Sequence, residues 1–286
     1  MNALQAALLG LIQGLTEFLP VSSSGHLILG SALLRLPAPG LSFSIMVHLG
    51  TAFATLAVLW GEIGSILKGV FLPGSRSARG KALAAIGCLA AASVPGALLG
   101  LFGRDLIDRV FSSGGVAAVG LIITGFVLRA SGTATSGATR ESRAASKPHK
   151  SSGGRQDLLS TVTLRRALNV GIAQAIAVIP GISRSGSTIT VGLLSGLSRE
   201  DAARFSFLMS IPATFGAALL EHRELAAAGA PLFTGQGFLA AAIAFVAGVF
   251  AYVAVFRAVR RGELSKFAYY CWAAGTLSLA WLLVKA

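Results

Sequence analysis

Charge is what this chain is short of: Asp, Glu, Lys and Arg together make only 12% of its 286 residues, and just 11 are acidic. A water-soluble domain carries about twice that charged fraction, so a soluble globular class is excluded. Cysteine is nearly absent too. Cys88 and Cys271 lie far apart in apolar runs with no CxxC or histidine companion, which excludes a disulfide framework or cysteine zinc site and leaves both as small buried hydrophobes. No Lys or Arg precedes Arg35. The basic n-region of a secretory signal is therefore missing, and the opening stretch is expected to belong to the fold.

What is there is apolar: 54% of the residues are hydrophobic and the mean hydropathy is +0.74. Stretches without a charged residue run over 1–16, 18–34, 36–61, 82–103, 110–128, 167–183, 185–198, 205–220, 225–256 and 267–284. Several reach the ~20 residues with which an α-helix crosses a bilayer. They lack the period-two alternation of a membrane barrel, and lipid forces every backbone amide to find an internal partner, so the spans are helices. The predicted class is an all-α, polytopic integral membrane protein. A net charge of +13 would suggest nucleic acid in a soluble chain. In a membrane protein it reflects basic residues retained in cytoplasmic loops, and no nucleic-acid partner is expected.

Residues 131–163, "SGTATSGATRESRAASKPHKSSGGRQDLLSTVT", are rich in Ser, Gly and Ala and predict a mobile polar linker, with His149 solvated, between a half at 1–130 and a half at 164–286. The halves resemble each other. A shift of 161 positions pairs Gly10 with Gly171, Gln13 with Gln174, Ser22 with Ser183, Ser24 with Ser185 and Gly25 with Gly186; one residue more pairs Phe43-Ser44 with Phe205-Ser206. The matches gather around two polar, Pro-containing breaks, "EFLPVSSSGH" at 17–26 and "VIPGISRSGS" at 178–187. Each half reads as a helix, a broken apex, a short helix and three longer spans. If each apex turns a re-entrant hairpin, about six full transmembrane helices result, and the odd number per half inverts the second against the first. The basic residues agree. Loops 61–81, 129–166, 197–204 and 257–266 hold most of the 24, while the other face keeps Arg35, Arg104, Arg109, Arg223 and Lys285. That asymmetry fits an inverted repeat with both termini outside. Glycines, 35 in all, serve internal helix contacts or a homodimer seam equally well.

Inverted repeats commonly bring their broken segments together near the midplane. Glu17, Ser22, Ser23, Ser24 and His26 would then face Ser183, Arg184, Ser185 and Thr188. An arginine at membrane depth costs ~2.5 to 3.5 kcal/mol and needs a reason. A structural Glu17–Arg184 pair locking the hairpins is one. The company of hydroxyls favours another, a phosphate cradle. The short apolar helix after Arg184 offers free amides and a positive dipole end, Gly181 and Gly186 allow close backbone approach, and the guanidinium can fork to phosphate oxygens. Gln13 and Glu17, four apart, share a helix face. They can hold a divalent cation, or Glu17 can act as a base. His26 is a further proton donor or acceptor. His48 is expected in or beside a span, and His222 in the charged external loop "LEHREL".

"QGLTEFLPVSSSGHL" at 13–27 and "PGISRSGST" at 180–188 resemble the paired signatures of the undecaprenyl-diphosphate phosphatase family, also called bacitracin-resistance proteins. The resemblance covers essentially the whole chain, although the first motif carries the amide variant, Gln13, where a second carboxylate can stand. It implies removal of the terminal phosphate from a polyprenyl diphosphate lipid, recycling the carrier for peptidoglycan synthesis. It also implies dependence on a divalent metal, Mg2+ or Ca2+, and a site open to the outer face of the bacterial cytoplasmic membrane. Ser23 matches the position proposed as nucleophile, with Glu17 or His26 handling the proton and metal-activated water as the alternative. A phosphatidic-acid-phosphatase pattern also contains "SGH" and "SR", but Thr190 stands where its second histidine belongs. An inverted-repeat transporter or flippase for a phosphorylated lipid remains the non-enzymatic alternative.

Overall fold

The computed structural model describes residues 1–36, 40–72, 76–103, 113–145 and 161–285. They form α1 (Ala3–Phe18), α2 (Ser23–Leu33), α3 (Leu41–Val58), α4 (Trp60–Phe71), α5 (Arg76–Phe102), α6 (Gly114–Ala145), α7 (Leu164–Ile176), α8 (Arg184–Leu194), α9 (Arg199–Ala227), α10 (Gly235–Arg261), a 3-10 turn (Leu264–Lys266) and α11 (Phe267–Lys285). The described residues contain no strand. Among the described residues six helical segments are long and apolar enough to cross a membrane: α3, α5, α6 as far as Thr133, α9, α10, and α11 with its preceding turn. By contrast α2 and α8 have 11 residues each, about 16 Å at 1.5 Å per residue, half the thickness of a hydrocarbon core.

The short helices form two hairpins. Gly30 of α2 abuts Leu9 and Ile12 of α1, so the chain doubles back after its first break. At the base of the second hairpin Asn169 donates to Ser195 at 3.4 Å and the Arg166 guanidinium lies beside Gly196. The hairpins enter from opposite ends. Gly10, Gly14 and Phe18 step along α10 at Ala240, Ala244 and Gly248, which sets the tip of α1 at the middle of a 27-residue helix. Reciprocally, Gly171 of α7 lies against the backbone of Ala92 in α5. A Cβ at either Gly10 or Gly171 would overlap a facing carbonyl, so glycine is what lets these helix pairs approach.

The four basic segments converge on one end. Glu200 pairs with Arg260 at 3.0 Å and with Arg204 at 3.4 Å, Arg204 reaches Glu62 at 3.8 Å, and Thr161 donates to Asp201 at 2.7 Å. Ser42 and Pro231, hydrogen-bonded at 2.8 Å, lie at the other end with the start of α10.

The segments expected as loops are in large part helical, three of them at length. Residues 60–71 form α4, "LEHREL" with His222 continues α9, and α6 runs on through 131–145, the first part of the predicted linker. The cause is shared: once a helix exists, adding a residue needs no new nucleus, and polar or charged residues without an interrupting Pro do not end it. In the linker the next proline is Pro148. It lies with His149 and the rest of 146–160 outside the described residues.

Candidate functional site

The two breaks meet backbone to backbone. A Cβ on Gly25 would lie 3.1 Å from the Gly181 Cα, and one on Gly186 would lie 3.2 Å from the Pro20 Cβ. Ser22 adopts φ 67°, ψ 101°, a left-handed conformation costly for a residue with a side chain and found where function over-determines the backbone. Its Oγ caps α2, accepting from Gly25 N at 3.4 Å and lying 3.4 Å from Ser24 Oγ.

Glu17, at the last turn of α1, is the centre of the contacts. Its Oε1 takes the Arg184 Nη2 at 2.5 Å, and its Oε2 accepts from Ser23 Oγ at 2.5 Å and from Gln13 Nε2 at 3.0 Å. The carboxylate and guanidinium side chains are only 11% and 20% exposed. An ion pair so withdrawn from water depends on added hydrogen bonds to offset desolvation, and Ser23 and Gln13 supply them. Among the described residues two polar atoms here are buried without a partner: Arg184 Nη1, a donor, and Gln13 Oε1, an acceptor. The amide cannot be turned the other way, because the carboxylate accepts only and so demands the NH2.

The second break is braced by protein rather than opened to a ligand. Ser183 Oγ caps α8 by accepting from Gly186 N at 3.1 Å and lies 3.3 Å from Ser185 Oγ. Ser185 in turn donates to the Leu19 carbonyl at 3.3 Å, stitching one break to the other. Thr188 points away, bonded to the Arg184 carbonyl at 2.7 Å and to Ser206 Oγ at 2.6 Å. Gly181 and Gly186 were expected to let backbone approach a ligand. The space beside them is filled instead, by Ala117 and Gly120 at Gly181 (φ +87°) and by Leu128 and Pro20 at Gly186. Their small size serves the packing of hairpin on hairpin and hairpin on α6.

Sequence reading missed three contributors. Thr124 of α6 donates to the Gly181 carbonyl at 2.8 Å and accepts from Ser183 N at 2.9 Å. Cys271 of α11 is buried and free, as expected, yet its Sγ donates to the Pro20 carbonyl at 3.6 Å. Tyr270 contacts His26, whose Nδ1 lies 2.8 Å from the Ser22 carbonyl. None belongs to a motif. The one available signal was the repeat itself, since Pro20 and Gly181 are 161 apart and so demand equivalent braces. His48 lies in α3, half-buried, with Nδ1 2.8 Å from the Ser44 carbonyl.

As a metal site the donor set is lean. Among the described residues no three His, Cys, Asp or Glu come together, and both Glu17 oxygens are engaged. The orphaned Gln13 Oε1 beside one carboxylate fits a cation that takes its remaining oxygens from a bound phosphate, which is how Mg2+ is commonly held.

Comparison with known proteins identifies the family. Residues 6–277 match the family described as "Bacitracin resistance protein BacA". The chain is 39% identical to a protein of Desulforapulum autotrophicum over 98% of each chain, 38% identical to one of Parabacteroides distasonis over the full length of both, and 40% identical to one of Thermomicrobium roseum over 98% of each. All three are named "Undecaprenyl-diphosphatase". With the match running from α1 into α11 and taking in both hairpins, the chain belongs to the bacitracin resistance protein BacA family.

Proposed function

We propose that this chain hydrolyses undecaprenyl diphosphate to undecaprenyl phosphate and inorganic phosphate. The observation that carries the reading is the contact chain Gln13–Glu17–Ser23 with Arg184, assembled from both hairpins at mid-depth of α10, in a family whose relatives are named for that activity. Undecaprenyl diphosphate carries its charge at one end only, and a site with a largely buried cation, Arg184, suits a head group whose tail stays in the membrane.

The chemistry follows from the geometry. Ser23 donates its hydrogen bond to Glu17 Oε2, which supports Glu17 as the base. As the hydroxyl proton passes to the carboxylate, Oγ attacks the terminal phosphorus and the bond to the bridging oxygen breaks, releasing undecaprenyl phosphate. The departing undecaprenyl phosphate carries off that proton; water, deprotonated by the restored carboxylate, then attacks the phosphorus, the bond to Ser23 Oγ breaks, Oγ regains the proton from Glu17 and inorganic phosphate leaves. Arg184 Nη1, buried and unpartnered, is the donor held ready for the charge that builds on the phosphoryl oxygens. Direct attack by water is the alternative, with Ser23 positioning it. Gln13 Oε1 and Glu17 would hold a Mg2+ or Ca2+ ion, which would neutralise the diphosphate oxygens when bound.

By the positive-inside rule the end bearing Arg199, Arg204 and Arg260 faces the cytoplasm, and the mouth of the site opens outward in the cytoplasmic membrane of a bacterium. The test is phosphate release from undecaprenyl diphosphate by purified protein, with EDTA or added Mg2+ or Ca2+, beside Arg184→Ala and Glu17→Ala variants verified as folded. Metal-dependent release that both substitutions abolish supports the reading. Binding of the lipid through Arg184 without release refutes it and leaves a transporter.

A further inference from the structure

His26 is held by a residue from the far end of the chain. Its Nδ1 lies 2.8 Å from the Ser22 carbonyl and its Nε2 2.8 Å from the Tyr270 hydroxyl. A carbonyl only accepts, so in the neutral ring Nδ1 carries the proton and Nε2 is the acceptor. The phenol is then the donor. The two rings also stack, with centroids 5.7 Å apart and planes at 12°. Both nitrogens of the imidazole are thus fixed, and Tyr270 supplies one of the two hydrogen bonds.

We infer that Tyr270 is a positioning residue for His26 in the phosphatase reaction, an inference that rests on His26 serving as a proton donor or acceptor there. A phenol hydroxyl both donates and accepts. It gives its proton to Nε2 while the ring is neutral and, by turning its O–H, accepts from Nε2–H when the ring is protonated. The imidazole therefore keeps one orientation through both protonation states. Direct service to Ser23 falls to Glu17, which already receives the Ser23 proton. The His26–Tyr270 pair acts on protons exchanged with water or with the departing phosphate. The adjacent Tyr269 lies edge-on to Trp272 at 5.8 Å and provides the control.

The experiment is a double-mutant cycle. Turnover and KM for undecaprenyl diphosphate are measured for the parent, Tyr270→Phe, His26→Ala, the double variant and Tyr269→Phe, each checked for folding by size exclusion and thermal unfolding. Tyr270→Phe keeps the stacked ring and loses only the hydroxyl. The expected result is a roughly three- to tenfold fall in kcat with KM unchanged, no further fall when Tyr270→Phe is added to His26→Ala, and parental kinetics for Tyr269→Phe. An equal fall in the His26→Ala background, a rise in KM shared with Tyr269→Phe, or no fall at all while His26→Ala is impaired would overturn the role of Tyr270 alone. Parental turnover in His26→Ala would remove His26 from the reaction, and Tyr270 with it.

Discussion

Thr124 and Cys271 sit on different helices and perform the same task, each donating a hydrogen bond to the carbonyl at the tip of a hairpin: Thr124 to Gly181 at 2.8 Å, Cys271 to Pro20 at 3.6 Å. The braces are unequal in strength. Thr124 also accepts from Ser183 N, whereas a thiol is a weak donor.

Thr124→Val is therefore expected to leave a buried carbonyl and a buried amide unpaired at once. Each orphan costs about 1–3 kcal/mol, and thermal unfolding in detergent should show a fall of several degrees. Cys271→Ser should be tolerated, since a hydroxyl keeps the donor. A larger loss for Cys271→Ser than for Thr124→Val would contradict the assignment.

Glu17→Gln preserves shape while removing the proposed base and the charge opposite Arg184. Turnover should fall about 10²–10⁴-fold, the usual worth of a positioned general base. Retained turnover would mean that the Ser23 proton leaves by another path. Arg184→Lys should also fail in large part, because an ammonium cannot fill both the Glu17 contact and the Nη1 position.

Gln13→Glu puts a second carboxylate beside the first. Without a cation the two repel, so the variant should unfold at lower temperature in EDTA. With Mg2+ added, the concentration giving half-maximal phosphate release should drop below that of the parent. An unchanged metal requirement would separate this position from any cation.

Two glycine substitutions provide a contrast in packing. Gly171→Ala drives a methyl group into the Ala92 carbonyl, whereas Gly87→Ala in α5 meets nothing within 4 Å. The first should destabilise by about 1–3 kcal/mol as overpacking does. The second should be neutral or slightly stabilising, by no more than about 1 kcal/mol. Differential scanning calorimetry on the two variants reads the difference directly.

How much of this was legible in the sequence depended on range. Gln13 and Glu17 declare a shared helix face by spacing alone, and Arg184 in apolar surroundings declares a partner, because both follow from local physics. The spans were legible for the same reason, as uninterrupted apolar runs. Helix ends were not: charge does not stop α9 at Glu221, nor do Ser and Thr stop α6 at Ser131, since neither carries a breaking signal. At Gly181 and Gly186 the sequence announced a close approach without saying that Ala117, Gly120, Leu128 and Pro20 make it. Tyr270, Cys271 and Thr124 were invisible, since their partners lie 244, 251 and 57 positions away and only the folded chain joins them.

The spacing that pairs Ser24 with Ser185 also pairs Ser23 with Arg184, and sets Val178 opposite Glu17. Ser23 and Arg184 thus occupy corresponding places in two similar halves and reach the two oxygens of one carboxylate. Identical halves would present a diphosphate with mirrored choices and no means of telling its free end from its lipid end. Here one half carries the acid and the hydroxyl and the other the cation, so the proposed site has a direction. A scaffold that repeats itself has become a site that does not.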